Sequence, residues 1–390
     1  MKSESSILFL QNGDFEEAFT RFAEGGSETY RDQKASVDFV ASLAPNATVT
    51  TFAFGTNNYH SRLADNLWAA GGNLETFGVK HASRLLDRTE ATHIILRTPN
   101  LEILREAARR RIHVLPSFAD IFSQGSLTNQ YRNWRLQRAL LQCQAPCFSN
   151  HSLNASRSMV EALGLPQAKV IPWDWTRVPV AKEAKFQVAD KDFPTAFFAG
   201  MLSEEKGVGD CLDALSILRA ENIKLSMSFA GPGDLPKWRA RADRLGISEQ
   251  VHFLGMIPNA DVRTEMRRHD FVIVPSRHSY AEGLPNTIYE GLASRSALII
   301  SDHPAFAGRL LQDEECLVFS AGNPSELATC LKRSISDPDL YRRLSENGAF
   351  AHDKLYVGVE WTSLVTAFLN DPTDRQGWVM PYSLAKMGKL

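Results

Sequence analysis

Glu282-Gly283-Leu284-Pro285-Asn286-Thr287-Ile288-Tyr289-Glu290 sets two carboxylates eight positions apart, with a Gly- and Pro-containing turn between them. The apolar run before it, Phe271-Val272-Ile273-Val274-Pro275-Ser276, reads as a buried parallel strand. Ile288-Tyr289-Glu290-Gly291-Leu292-Ala293 reads as the start of a helix. Strand, tight loop and helix N-terminus together make an anion-receiving corner, because the first helical N–H groups lack partners and point outward. Eight residues are a little over two helical turns, so the two carboxylates lie on roughly one side if the stretch is helical. Acceptors flanking an N–H cradle suit a ligand with hydroxyls at both ends and a diphosphate between them. A nucleotide sugar has that layout.

Three further segments follow the same strand-to-loop logic. Phe197-Phe198-Ala199-Gly200-Met201-Leu202-Ser203-Glu204-Glu205-Lys206-Gly207 ends an apolar strand in glycine and delivers a lysine just before a helix, Val208 to Arg219. A cation there can neutralise a diphosphate. Gly25-Gly26-Ser27-Glu28-Thr29-Tyr30 follows the opening strand Ile7 to Leu10 and leads into an apolar-periodic stretch at Val37, Val40, Ala41 and Leu43. A Gly pair lets backbone approach a ligand closely, although alone it usually marks a turn. Val251-His252-Phe253-Leu254-Gly255-Met256-Ile257-Pro258-Asn259 is a third strand-and-loop unit. The turn before it, Phe229-Ala230-Gly231-Pro232-Gly233, carries G-x-G without the full dinucleotide fingerprint.

In this order the four segments resemble the signatures of the retaining glycosyltransferases of the GT-B type, family 4 (glycosyl transferases group 1). The resemblance is close over most of the second half and loose over the first. It implies an α/β protein with two facing Rossmann-like domains and a cleft between them. By resemblance, Glu290 holds the ribose hydroxyls and Glu282 the donor sugar. Gly283, Leu284, Pro285, Asn286 and Thr287 offer backbone N–H groups to the diphosphate with Lys206. Gly25 and Gly26 approach the donor, and the backbone at Met256 and Ile257 meets the base. The family pattern G-R-L-x-x-x-K-G is broken, since Met201 stands where arginine is expected. Arg277, in a loop longer than the family's usual Pro-Ser-x-x-Glu, is the expected replacement cation. Asp120 lies where the family often has His-Asp, with the histidine missing, so a catalytic role competes with helix capping.

At 390 residues, two domains with separate cores are expected. Hydrophobic residues make up 44% and charged residues 23%, an ordinary globular composition. A formal net charge of −2 offers no overall electrostatic case for nucleic acid. No leader peptide, and no apolar run long enough to span a bilayer, is read from the chain. Cys143, Cys147, Cys211, Cys316 and Cys330 read as free thiols, and a cytoplasmic location is expected. Cys143 and Cys147 lack a second Cys/His pair, which argues against zinc.

Short apolar strands alternate with helix-length amphipathic stretches, the pattern of parallel α/β sheets. The expected domains are residues 1–180, with the tail 370–390 returning to them, and residues 181–369. Lys182 to Phe193 reads as the linker, and Leu355 to Phe368 as a long helix crossing back. Asp190-Lys191-Asp192 is formally D-x-D but lies in that charged linker, so no metal is expected, nor any cofactor beyond a UDP- or GDP-sugar co-substrate. The arginines of residues 100–140, around Trp134, read as a solvated face or as a contact for an anionic membrane or acceptor. Trp173-Asp174-Trp175 suits either packing or stacking on a sugar.

The reading is a metal-independent, retaining transferase acting on a glycan or lipid-linked acceptor. Its alternatives are an inactive nucleotide-binding scaffold, or a phosphorylase or hydrolase on the same frame.

Overall fold

The computed structural model describes residues 5–73, 76–188 and 192–387. Contacts divide the chain into two compact units. The first comprises residues 5–27, 32–176 and 357–387, and the second residues 28–31 and 177–356.

The first unit is built on eight strands: β1 Ser6–Gln11, β2 Thr48–Phe54, β3 Tyr59–Ala64, β4 Leu67–Gly72, β5 His93–Leu96, β6 His113–Phe118, β7 Phe148–His151 and β8 Val170–Trp173. Their order in the sheet is β3-β4-β2-β1-β5-β6-β7-β8, and each neighbouring pair is parallel except β3 with β4. Successive strand residues face opposite sides of a sheet. In β1, Leu8 and Leu10 therefore join one apolar cluster while Ile7 and Phe9 join another on the far face. Burial on both faces is why such strands read as continuous apolar runs.

The second unit carries β9 Thr195–Ala199, β10 Ser226–Ala230, β11 Val251–Gly255, β12 Phe271–Val274, β13 Ala297–Ser301 and β14 Leu317–Phe319. All are parallel, in the order β11-β10-β9-β12-β13-β14. Numbered within the unit this is 3-2-1-4-5-6, the Rossmann order, whose direction of winding reverses between the first and fourth strands. Ligands of such sheets bind outside the carboxyl ends of those two strands, here β9 and β12.

The expected strands are present, joined by three that the sequence hid. β3 and β4 form a hairpin at the sheet edge. Its Asp65-Asn66 turn holds Asn66 at φ +57°, and β3 alternates between half-buried and exposed residues. β4 ends in Gly71-Gly72, and a Cβ on Gly71 would fall 2.3 Å from the Tyr59 ring. β8 is only four residues long and includes Pro172.

Besides the short excursion at residues 28–31, the chain crosses between units at residues 176/177 and 356/357, earlier on both occasions than the sequence reading drew it. The expected returning helix is two helices, Pro338–Leu355 in the second unit and Trp361–Asn370 in the first. Trp361 explains the early return. It is 1% exposed, packs on Phe9, Phe39 and Trp175, and donates from Nε1 to Ser117 Oγ at 3.1 Å. Trp173 is buried in the same cluster, so packing accounts for the Trp-Asp-Trp run. The supposed linker is bound into the second unit through Lys185, whose Nζ donates to Ser296 Oγ at 2.8 Å. Asp190 and Lys191 lie outside the described residues. All five cysteines are free thiols.

Candidate functional site

At the switch between β9 and β12 lies a cavity of about 570 Å³, lined wholly by residues of the second unit. Close backbone contacts shape its floor. Gly207, at φ +77°, passes so near β12 that a Cβ would sit 2.2 Å from the Pro275 carbonyl oxygen. Gly231, at φ +143°, leaves a Cβ position 1.9 Å from the Gly200 carbonyl oxygen. No side chain fits either place. The loops after β9, β10 and β12 thereby converge on one spot.

The helix Asn286–Ser294 points its N-terminus into the cavity, which Asn286 and Thr287 line. No side chain caps this end, and no acidic residue occupies its first turn. The free N–H groups and the positive end of the helix dipole remain available to an anion.

The two carboxylates of the opening motif flank that end, and both are buried, Glu282 at 9% exposure and Glu290 at 2%. Asn259 donates from Nδ2 to Glu290 Oε1 at 3.2 Å, fixing the carboxylate from the neighbouring helix, Asn259–Arg268. Lys206 Nζ donates to Glu282 Oε1 and lies 4.5 Å from the Tyr280 ring centroid. The second oxygen, Glu282 Oε2, is buried with no hydrogen-bond partner among the described residues. A buried acceptor left open in this way costs about 1–3 kcal/mol, which a ligand hydroxyl would recover.

Behind the loop, His303 accepts at Nδ1 from the Ala305 N–H at 3.1 Å, so its Nε2 carries the hydrogen toward the Tyr280 carbonyl at 3.0 Å. Burial lowers its pKa, in keeping with a neutral ring that holds the loop in place. Burial, with the nearby Glu282 charge, raises the pKa of Tyr280.

Several expected site residues meet here: Lys206, Glu282, Glu290, Pro285, Asn286, Thr287, Met256 and Ile257 all line the cavity. Leu284 instead turns into the core at 3% exposure, and Gly283 is not part of the wall. Gly25 and Gly26 end the helix Phe15–Ala23 in the first unit, through Gly25 N–H to Phe22 O and Gly26 N–H to Arg21 O. The residues shortly after them, Thr29, Tyr30 and Arg31, line the cavity in their place.

Asp120 belongs to the first unit, where burial raises its pKa and its carbonyl accepts from Asn150 Nδ2 at 2.8 Å. It does not cap the helix that follows, which Ser126 caps. Arg277 requires a correction. Its guanidinium is closed on Asp210, and it does not line the cavity.

Arg31 is the residue that sequence reasoning missed. It is 6% exposed, stacks 4.7 Å over the Tyr289 ring and donates from Nη1 to the Tyr356 hydroxyl at 3.2 Å. It thus sets a second cation in the wall that Met201, 51% exposed, leaves uncharged. Its distance in sequence from the second half concealed it.

Residues 180–349 match the family model of glycosyl transferases group 1. The match covers most of the unit that holds the cavity, but not the segment of residues 28–31. Among curated proteins, the lipopolysaccharide core biosynthesis mannosyltransferase LpcC of Rhizobium leguminosarum bv. viciae is 29% identical over 137 residues, 33% of this chain and 38% of that protein. The phosphatidyl-myo-inositol mannosyltransferase of Mycobacterium leprae is 28% identical over 158 residues, 40% of this chain and 41% of its own length. The chain thus matches about two fifths of these relatives.

Among solved structures, HepE of Anabaena, crystallised with UDP, aligns at a TM-score of 0.66 and 15% identity, covering 94% of this chain and 99% of that one. Sucrose-phosphate synthase from Thermosynechococcus elongatus aligns at 0.64 and 14%, covering 94% and 98%. At such identities the likeness concerns the fold, two Rossmann-like α/β units of the GT-B class.

Proposed function

We propose that this protein is a family 4, retaining, metal-independent glycosyltransferase that moves a sugar from a UDP- or GDP-sugar to an acceptor hydroxyl. The observation that carries the reading is the pair Glu282 and Glu290, buried on either side of an uncapped helix N-terminus at the sheet's switch point. HepE, of like fold, was crystallised with UDP, which favours uridine as the base.

In this reading Glu290, held by Asn259, accepts the ribose hydroxyls, and Glu282 Oε2 accepts a hydroxyl of the donor sugar. The N–H groups of Asn286 and Thr287, with Lys206 and Arg31, receive the diphosphate. The bond from the anomeric carbon to the phosphate oxygen breaks, its electron pair leaving with the diphosphate. The acceptor oxygen bonds to that carbon on the same face, and its proton passes to the departing phosphate oxygen. No protein nucleophile is needed; the chain supplies positioning and fixed charge. Two protein cations in the wall take the neutralising role that a metal has elsewhere.

A thermal-shift screen of UDP-, GDP-, ADP- and dTDP-sugars tests the donor, since a ligand of the native state raises apparent stability. Product NMR after turnover in EDTA tests retention and metal independence. An inverted anomer, or activity lost in EDTA and restored by Mg²⁺ or Mn²⁺, contradicts the mechanism.

Met201 in the cavity wall favours a second reading, a nucleotide-binding protein without turnover. Saturable donor binding with no transfer and no hydrolysis against any acceptor would establish it.

The acceptor is proposed to be a glycan or lipid-linked sugar met at an anionic membrane surface. On the helix Leu127–Gln142, Leu127, Tyr131, Trp134 and Leu141 are exposed along one face beside Arg132, Arg135 and Arg138, and the helix contains no acidic residue. By contrast Arg105, Arg109 and Arg110 are paired with Glu102, Glu106 and Asp87. Among the described residues no helix is long and apolar enough to cross a membrane. Sedimentation with anionic liposomes that falls with salt and with Trp134→Ala supports surface contact. No binding at low salt removes it.

A further inference from the structure

The edge hairpin of the first unit opens a second cavity of about 740 Å³, between the sheet face and the helix Val79–Thr89. In a doubly wound fold this space is ordinarily filled by the helix's apolar stripe. Here only Leu85 continues that stripe into the cavity, while His81, Arg84 and Arg88 of the same helix face line it too. β3 and β4 extend the sheet at its edge, and Thr50, Phe52, Trp68 and Ala70 line the cavity from the sheet side, with Thr50, Phe52 and Ala70 buried.

Three features of the wall fix the chemistry of an occupant. The first is an aromatic platform. The His60 and Trp68 rings stack at 5.1 Å and 22°, and Phe77 packs between Phe52 and His81 at 5.4 and 6.0 Å. Such faces favour the C–H-bearing side of a sugar ring. The second is charge. Arg84 and Arg88 are one helical turn apart, side by side on the helix surface, and neither makes an ion pair or a hydrogen bond among the described residues. Among the described residues no Asp or Glu lines the cavity. The third is a rim of Asn58, Asn73 and Thr76, neutral groups able to exchange hydrogen bonds with hydroxyls. The volume falls within the range of small-ligand pockets.

We propose that this cavity is a binding site for an anionic saccharide, a sugar ring bearing a carboxylate or a phosphate, stacked on Trp68 and His60 and anchored by Arg84 and Arg88. The site lies wholly in the first unit and is independent of the donor reading given above. Guanidinium groups match either anion through paired hydrogen bonds. Carboxylate and phosphate sugars are therefore separate arms of one test.

Saturation-transfer NMR on the full chain, with glucuronic acid, glucose 6-phosphate and glucose as probes, reads even weak binding. The expected result is a saturable signal for at least one acidic sugar, at least tenfold tighter than glucose. Inorganic phosphate alone should not displace it at equal concentration. The double variant R84A/R88A and, separately, Trp68→Ala should each weaken it tenfold or more, with the melting temperature checked to confirm folding. R105A, on the next helix, serves as the control that leaves it unchanged. Glucose binding as well as the acidic sugars, or affinity indifferent to R84A/R88A, overturns the proposal. So does liposome binding that depends on Arg84 and Arg88 without any sugar signal, because the surface then reads lipid.

Discussion

Arg277 grips Asp210 through two hydrogen bonds, Nε to Oδ2 at 2.9 Å and Nη2 to Oδ1 at 2.5 Å. Asp210 is 3% exposed in the first turn of the helix Val208–Ala220, while Arg277 is 36% exposed and ties the loop after β12 to that helix. This relationship changes what Arg277 is for. Its fork is already filled by a buried carboxylate, which the hydrogen bonds raise its pKa to match, so it is a structural clamp. Arg277→Ala should destabilise the protein by about 1.5–3 kcal/mol, the scale of a charge-assisted hydrogen bond, chiefly by stranding Asp210. UDP affinity of the folded variant should stay within about twofold. Denaturant unfolding and calorimetry check the two halves, and a tenfold loss of affinity at unchanged stability would restore the ligand role.

Arg31 is proposed to supply the cation that the sequence assigned to Arg277. Its guanidinium sits over the Tyr289 ring at the cavity wall, and lysine lacks the planar fork to replace it. Arg31→Ala should weaken UDP binding by about tenfold, the scale of one charge-assisted hydrogen bond, and Arg31→Lys should recover only part. Met201 faces the same cavity, so Met201→Arg added to Arg31→Ala should restore affinity. Failure of Arg31→Ala to change binding means that the wall needs no second cation.

His93 and His113 stack at 5.6 Å in the first unit, and burial, with the His113 charge as a smaller cause, lowers the His93 pKa to about 4. An unfolded histidine titrates near 6.5. Between those values the unfolded chain binds more protons than the native one, so stability present above about pH 6.5 is lost as pH falls toward 4. Burial lowers His113, His269 and His303 in the same direction. His93→Gln should flatten the pH dependence of unfolding in that window while changing little at pH 8. Parallel curves for the variant and the parent would show that His93 is not a source of the slope.

How much of this was legible in the chain depends on where each signal sits. The apolar runs of β1, β9 and β12 stand out because both faces of a parallel sheet are covered, whereas the edge strand β3 exposes alternate residues and β4 ends in four small ones after Leu67 and Trp68. Glu282 and Glu290, and separately Lys206, were legible because spacing along each strand-loop-helix unit survives folding almost unchanged. Arg31 was not, since only tertiary contact places it with the second unit. Asp210 gave no sign of binding Arg277, because their pairing joins a helix and a loop distant in sequence. Gly25 and Gly26 drew attention as a loop motif, yet they serve as the end of a helix.

The central claim is that the cavity at the β9/β12 switch holds a nucleotide sugar by its two buried carboxylates, and Glu290 states it most sharply. Isothermal titration of UDP into the parent protein and into Glu290→Gln is the direct measurement. Losing a charge-assisted hydrogen bond to the ribose should cost about 1.5–3 kcal/mol, tenfold or more in affinity, with the melting temperature of the unliganded variant close to that of the parent. Unchanged UDP affinity in a folded Glu290→Gln protein would contradict the account, leaving Glu290 as nothing more than the partner of Asn259.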